Sequence, residues 1–400
     1  MEVKSKKLII DLGMRFTKVG FEGDSEPRKI IPTPSLINLE EYFEEKTQNF
    51  NVLSYLNNSN DIKLKMEEFA CYIINDVLQI YKTDSKFKLI CVILLDLDMK
   101  DYLKDIYFSF IKYIYETFLF ISSIKLIPKN IFPIFVSGFF SGIILSSGFL
   151  FSSITVVNNG LSVYSKKIGF GSCDMQKLLY NIILNDKKGL EIVKSEDMDK
   201  FKKNLTKHMD DILVRISYIM NKKVSSEYKQ INRGEKKEIY SNISFYDDLP
   251  SFNISFNSRV IVGEKLFEEN SESNLAYIVL NTLLNKVPCE IRRKVGSNIV
   301  LNGGMTMLNG FYQRFVDELS FVMDNNQEFK RLKGIQDDLH VHKIIFPRNL
   351  LTWVGASIFL NFNNLNFAGN EINRNENEGE TDKIAVEGEI TNLLDNLRIR

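Results

Sequence analysis

Asp11-Leu12-Gly13-Met14-Arg15-Phe16-Thr17-Lys18 is the stretch whose reading decides the fold. It closes the apolar run Leu8 to Leu12, which reads as a buried strand ending at Gly13. Phe16 to Phe21 then reads as the returning strand. A glycine in such a turn removes the Cβ that would keep the backbone away from a phosphate or a base. Late in the chain the pattern recurs. Asn298 to Leu301 is a second short apolar strand, and Asn302-Gly303-Gly304-Met305 is the turn that follows it. Two such turns far apart imply two lobes around a nucleotide-sized cleft.

Outward from these turns the chain alternates strands and helices. Arg28 to Ile31 reads as a third strand after a turn at Gly23-Asp24-Ser25. Met66 to Ile80 has Phe69, Ile73, Ile74, Val77 and Leu78 at helical spacing, and Tyr102 to Ile121 returns to that period. Phe87 to Leu95 is apolar apart from Lys88, as a strand covered on both faces would be. Lys125 to Ile127 is a short strand before Pro128. A similar series follows: strands at Ile154 to Val157 and Leu161 to Ile168, a helix at Cys173 to Leu184, another within Asp199 to Met220, and one from about Gly310 to Met323. Two related halves of this kind imply an internal duplication.

Between them, Ile131 to Val157 carries no charged residue, and that length spans a bilayer. Pro133, Gly138, Gly142, Gly148 and several serines argue instead for core elements: a helix from about Pro133 to Ser146, a turn at Ser147-Gly148 and a strand from Ser153. Glu40 to Asp61 is polar, Asn-rich and poorly periodic, which predicts a loose insertion with little core of its own. Asn361 to Asp382 has the composition of a disordered segment. Ile390, Leu393, Leu394 and Leu397 fall on one side of a terminal helix over Ala385 to Leu397, which docks on its own domain or binds a partner.

The chain has 400 residues, which exceeds the usual size of one core and predicts two domains. Its formal net charge is +0, which speaks against a general electrostatic grip on nucleic acid. The four cysteines, Cys71, Cys91, Cys173 and Cys289, lack metal-ligand spacing, and the N-terminus lacks a secretory pattern. A reducing compartment, cytosol or nucleus, fits both. No Walker A sequence occurs, Gly169-Phe170-Gly171 lacks a third glycine, and no nucleophile triad can be assembled. His340-Val341-His342 reads as a half-exposed strand rather than a metal site.

With these residues in place the sequence resembles actin and the actin-related proteins. Asp11, Gly13, Lys18, Gly20, Phe21, Gly23, Asp24, Pro27 and Arg28 match the family's first phosphate hairpin. Tyr246-Asp247-Asp248-Leu249-Pro250 through Glu264-Lys265-Leu266-Phe267 resembles its Leu-Pro hairpin and the helix start beyond it. Cys289 to Phe311 is similar to its adenosine-contacting turn, and Leu351 to Ser357 to its returning Trp-containing helix. The resemblance covers most of residues 8 to 362. It implies an α/β chain with the actin-like ATPase fold: duplicated mixed-sheet, ribonuclease H-like domains around a nucleotide cleft. The expected organisation is a first lobe over 1–148 plus 351–362, with a shortened insertion at about 35–65. A second lobe covers 149–350, and a polar tail 363–400.

The resemblance further implies a site for ATP or ADP built from Asp11, Gly13, Lys18, Gly160, Gly303, Gly304 and Met305. It also implies what that site has lost. The family's first-loop hydroxyl falls on Met14. Its second turn, normally Asp-x-Gly-Asp, is read here at Asn158-Asn159-Gly160-Leu161, without either acid. The water-orienting Gln falls on Ser141 or a neighbour, and the base-side Lys-Glu pair on Leu213-Val214. An ATPase of this fold needs acids to position magnesium, so no efficient hydrolysis is expected and no metal site is assigned.

Within the family the likeness is to the actin-related proteins at the pointed end of dynactin. That implies a cytoplasmic, cytoskeletal protein that caps a short actin-like filament in dynein-based transport. Its expected partners are actin-like filament subunits and other dynactin pointed-end subunits, with no nucleic acid and no membrane span. Two alternatives stay open: a divergent actin-like protein of a chromatin-remodelling complex, and an active ATPase or sugar-kinase-like enzyme of the same fold.

Overall fold

The structure is a computed structural model, and it describes residues 5–45, 52–55, 57–78, 88–96, 101–231, 239–268, 274–362, 371–373 and 390–391. In chain order the strands are β1 (Ser5–Asp11), β2 (Phe16–Phe21), β3 (Lys29–Pro32), β4 (Lys88–Leu95), β5 (Ile121–Pro128), β6 (Gly142–Ser147), β7 (Ser152–Asn158), β8 (Leu161–Ile168), β9 (Tyr240–Ile243), β10 (Phe252–Ser255), β11 (Ile299–Asn302) and β12 (Glu371–Asn373). The described residues fall into two compact units. One draws on Met1–Leu36, Leu56–Phe140 and Ile344–Arg400, the other on Ile37–Tyr55 and Ser141–Lys343.

The first unit is built on a six-stranded sheet of order β12-β5-β4-β1-β2-β3. β1, β2 and β3 form an antiparallel meander, while β4 runs parallel to β1 and β5 parallel to β4. Parallel neighbours need helical crossovers, and the helix Asp101–Thr117 supplies the one between β4 and β5. The central strands are covered on both faces. Ile9, Val92 and Leu94 are wholly buried in a cluster closed by Phe132, Trp353, Val354 and Leu360. The helix Leu351–Phe362 brings those last residues back from the far end of the chain. Its Phe359 ring stacks on Phe135 at 5.0 Å, and the Trp353 indole donates to the Ile9 carbonyl at 3.3 Å.

The second unit repeats the motif. Its four-stranded sheet has the order β11-β6-β7-β8. Here β6, β7 and β8 form the antiparallel meander and β11 runs parallel to β6. Strand for strand and direction for direction, this is β4-β1-β2-β3 again. The duplication expected from the sequence is therefore present as a repeated topology. A separate ribbon pairs β9 with β10 and spans the Leu249-Pro250 hairpin.

Three local expectations are corrected. The helix expected over Pro133 to Ser146 ends at Val136. After a turn at Ser137-Gly138 the chain becomes β6, whose Ile143-Ile144-Leu145 is buried between β7 and β11. A continuous apolar run looks alike as helix or buried strand, and here the strand partners decide. The segment Asn361 to Asp382 contains β12, which pairs with β5 through Glu371, Ile372 and Asn373. Lys125 and Glu371 reinforce that pairing with an ion pair at 2.9 Å. Of the expected terminal helix, Ile390 and Thr391 are helical and Ile390 is buried, while its other residues lie outside the described ones.

The third correction concerns the insertion. The helix Leu39–Glu44, capped by the Asn38 side chain, buries Tyr42 and Phe43 completely. The Phe43 ring lies 5.4 Å from Tyr180 of the helix Ser172–Asn185. The Tyr42 hydroxyl donates to Asp174 at 2.5 Å, and Lys177 pairs with Glu45 at 3.4 Å. The apolar periodicity is too short to stand out among the asparagines, yet two aromatic rings fix the segment to the second unit.

Burial pushes the Asp174 pKa up to about 6, against hydrogen bonds from Tyr42 and the Gly171 amide that lower it. The native carboxyl thus holds its proton more tightly than the unfolded one. Its ionisation costs stability as pH rises from the unfolded value near 3.8 to the folded value. Docking of this helix is expected to tighten as pH falls from 7 to 5. Tyr42→Phe is expected to cost about 1–3 kcal/mol at pH 7 and less at pH 5, because it strips a donor from a buried carboxylate. Chemical denaturation at the two pH values reads both effects.

Candidate functional site

β1, β4 and β5 run parallel, so their C-terminal ends meet along one edge of the first sheet. In open α/β sheets that edge is where ligands bind. The residues found there are charged. Asp11 ends β1 opposite Lys18 on β2, and the Lys18 ammonium sits 2.9 Å from its carboxylate. Lys129 directly follows β5, and Asp96 directly follows β4. The Lys129 ammonium lies 3.0 Å from Asp96 and 3.8 Å from Asp11, and it donates to the Leu12 carbonyl at 3.4 Å.

Asp11 is only 3% exposed. Burial pushes its pKa up, but the charges of Lys18 and Lys129 outweigh that and hold it below its ordinary value. Burial likewise lowers the Lys129 pKa, and Asp96 and Asp11 more than reverse it. Both shifts favour the charged forms of Asp11 and Lys129. Gly13 in the turn is required by contact, since a Cβ there would stand 2.3 Å from the Phe16 carbonyl oxygen. Thr33 donates to the Gly13 carbonyl at 2.8 Å and holds the turn from β3. Met14 occupies the expected hydroxyl position and receives the Tyr107 hydroxyl at its sulfur, 3.7 Å away.

In the second unit the sequence-derived residues separate. Gly303, Gly304 and Met305 follow β11, beside the end of β6. Gly303 has φ +95, and a Cβ on it would stand 2.2 Å from the Ser147 carbonyl oxygen. Only glycine combines that backbone with that approach. Asn302 donates to the Ser146 hydroxyl at 2.9 Å, and Met305 is buried. Gly160 lies at the opposite end of the same sheet. There Asn158 and Asn159 accept from Lys294 at 3.1 and 2.6 Å, and Ser141 donates to Asn158 at 3.3 Å.

Gly160 and the glycine pair therefore do not share a site, and Ser141 falls at the Gly160 end. The reason is topological. In the repeated motif, the counterpart of the β1–β2 turn is the β6–β7 turn, whereas Asn159-Gly160 corresponds to the turn between β2 and β3. The Asp-x-Gly-Asp frame, moved to the β6–β7 turn, falls on Ser146-Ser147-Gly148-Phe149. Leu213 is buried and Val214 exposed, so neither of these two positions carries a polar side chain. Asp96 and Lys129 are the residues that sequence reading missed. The signal was a charged residue placed directly after an apolar strand.

The donor set at the first sheet does not suit a divalent cation, because two ammonium groups already hold the Asp11 carboxylate. Among the described residues no three His, Cys, Asp or Glu side chains converge on one point. His340 and His342 have ring centroids 4.6 Å apart, but His342 is bonded to Asn298 at 2.9 Å. The lysines and the close-packed turn at Gly13, all in the first unit, do suit the oxygens of a phosphate. No described helix is long and apolar enough to cross a membrane.

The actin family profile matches residues 109–386. Actin-related protein 10 of Dictyostelium discoideum is 25% identical, over 90% of this chain and 83% of its own length. Centractin of Schizosaccharomyces pombe is 23% identical, over 82% of this chain and 86% of its own length. Putative actin-29 of Dictyostelium discoideum is 34% identical over 104 residues.

Proposed function

The chain belongs to the actin family, and from that premise we propose that it is a non-hydrolysing actin-related protein that ends a short actin-like filament. The fold is the α/β, mixed-sheet fold of that family. Its likeness to actin-related protein 10 and to centractin extends over most of the chain. In this reading it is a pointed-end subunit of a dynactin-type complex, cytoplasmic and engaged in dynein-driven transport. Its neighbours are actin-like filament subunits and other pointed-end subunits.

The observation that carries the capping role is the fate of the insertion. A head-to-tail filament stays open unless one subunit cannot offer the next contact. The resemblance assigns that contact to the loop between about Ser35 and Lys65. Here its aromatic pair, Tyr42 and Phe43, is spent inside the protein's own second unit. Such a subunit receives a neighbour and offers none. Loss of hydrolysis is supported by the two topologically equivalent turns. One carries Met14 and an Asp11 tied to lysines, and the other carries Ser146 and Phe149. In the first unit Asp11, Gly13 and Lys18 remain as the residues to hold the phosphates of ATP or ADP.

The test is direct. Purified protein, alone and at high concentration, is expected to stay unpolymerised in negative-stain images. It is also expected to release no phosphate from ATP in a single-turnover experiment. Long homopolymers would end the capping reading, and rapid phosphate release would end the non-hydrolysing one. Co-purification with remodelling ATPases in place of dynactin-type subunits would move the protein to a different assembly.

A further inference from the structure

We propose that Lys129 stands in for the divalent cation, so that the first sheet's charged edge holds polyphosphate without a metal; this deepens the nucleotide site named above and rests on it. The argument is geometric. Three parallel strands end side by side, and the residues at or just past their ends are Asp11, Asp96 and Lys129. Two carboxylates at adjacent strand ends are the arrangement that attracts a hard cation. Here a cation is already built in. The Lys129 ammonium reaches both acids, at 3.0 and 3.8 Å, and the neighbouring Leu12 carbonyl at 3.4 Å. Oxygen donors around one positive centre are what a metal would gather.

Lys18 closes the arrangement from the other side, on the second oxygen of Asp11. Two acids and two ammonium groups sum to zero charge. A divalent ion entering this edge would have to displace an ammonium at close range, and the surrounding protein has little water to screen the repulsion. A phosphate oxygen meets no such obstacle, because it is drawn by the positive charge of Lys129 and can take a donor from Lys18, whose ammonium has three and gives one to Asp11. The substitution is fixed in the chain, so it is indifferent to the free magnesium concentration.

Thermal unfolding with Mn²⁺ alone tests the metal claim with no nucleotide present. The wild-type midpoint is expected not to move. Lys129→Gln vacates the centre between Asp11 and Asp96, and Mn²⁺ is expected to raise its midpoint by on the order of 5 °C at saturation. The added change Asp96→Asn should abolish that rise. A wild-type rise that Asp11→Asn removes would overturn the proposal, as would a folded Lys129→Gln protein indifferent to Mn²⁺. Should Lys129→Gln fail to fold, the wild-type and Asp11→Asn measurements decide alone. A parallel titration of the wild type with ATP, in EDTA and in Mg²⁺, is expected to give midpoints that agree. An ATP response seen only with Mg²⁺ would overturn the proposal. No response under either condition, with the Mn²⁺ results as expected, would remove the nucleotide reading and leave Lys129 as a fixed counter-ion.

Discussion

Arg314→Ala is expected to unfold the second unit, at a cost of about 3–5 kcal/mol. Arg314 lies on the helix Phe311–Asn325 with no exposed side-chain surface. Its guanidinium forks onto Glu264 at 2.6 and 3.1 Å and reaches Glu318 at 2.9 Å and the Met220 carbonyl at 3.0 Å. Lys222 pairs with the other Glu318 oxygen at 3.1 Å, and Ser225 donates to Glu264 at 2.6 Å. Removing the arginine leaves two carboxylates in the interior, with Lys222 on Glu318. The cost comes from stranding those charges rather than from losing an attraction. The quadruple change Arg314→Met, Glu264→Gln, Glu318→Leu, Lys222→Met should therefore recover much of the loss, since replacing a whole buried ionic network is often close to neutral. Urea unfolding of the single and quadruple variants measures the difference. A single variant within about 1 kcal/mol of wild type would mean the charges are not confined as described.

Trp353→Ala is the second large effect, about 3–5 kcal/mol, and it should fall on the first unit. The indole is wholly buried, and its N–H is spent on the Ile9 carbonyl. Gly20 on β2 accommodates the ring so closely that a Cβ there would lie 2.6 Å from it. The helix Leu351–Phe362 is joined to the N-terminal sheet largely through this side chain and its neighbours Val354 and Leu360. Alanine leaves a cavity where the chain's return is secured. Hydrogen exchange should show β1 and β4 losing protection before the second unit's sheet does. Equal loss in both units would contradict this assignment.

The parts of the fold that were legible in the sequence are those where local pattern and tertiary role agree. β1 and β2 could be read because an apolar run meets a glycine whose Cβ has no room. The helix Asp101–Thr117 could be read from its period. β6 was misread because Ile143-Ile144-Leu145 is buried on both faces, where periodicity carries no signal. That one error had a functional consequence. With a helix drawn through β6, the first hairpin of the second unit moved one strand along, and Gly160 took the place of Gly148. The register of β11 on β6 restores it, because Asn302 faces Ser146. Asp96 and Lys129 stayed hidden for a different reason. They are far apart in sequence, and only the parallel pairing of β4 with β5 makes them neighbours.

The chain crosses between its units more than once, and this sets an order on its birth. All the described pieces of the second unit have been synthesised once Lys343 is added. The first unit, whose β1 to β5 largely precede the second unit in the chain, still lacks Trp353 and the rest of its closing helix at that moment. Domains generally complete as units during translation. The half that leaves the ribosome first is thus the half that matures last, waiting with an uncapped sheet while its younger neighbour folds. A chain truncated after Lys343 and released from the ribosome is expected to resist protease across β6 to β11 and to be cut readily in β1 to β5.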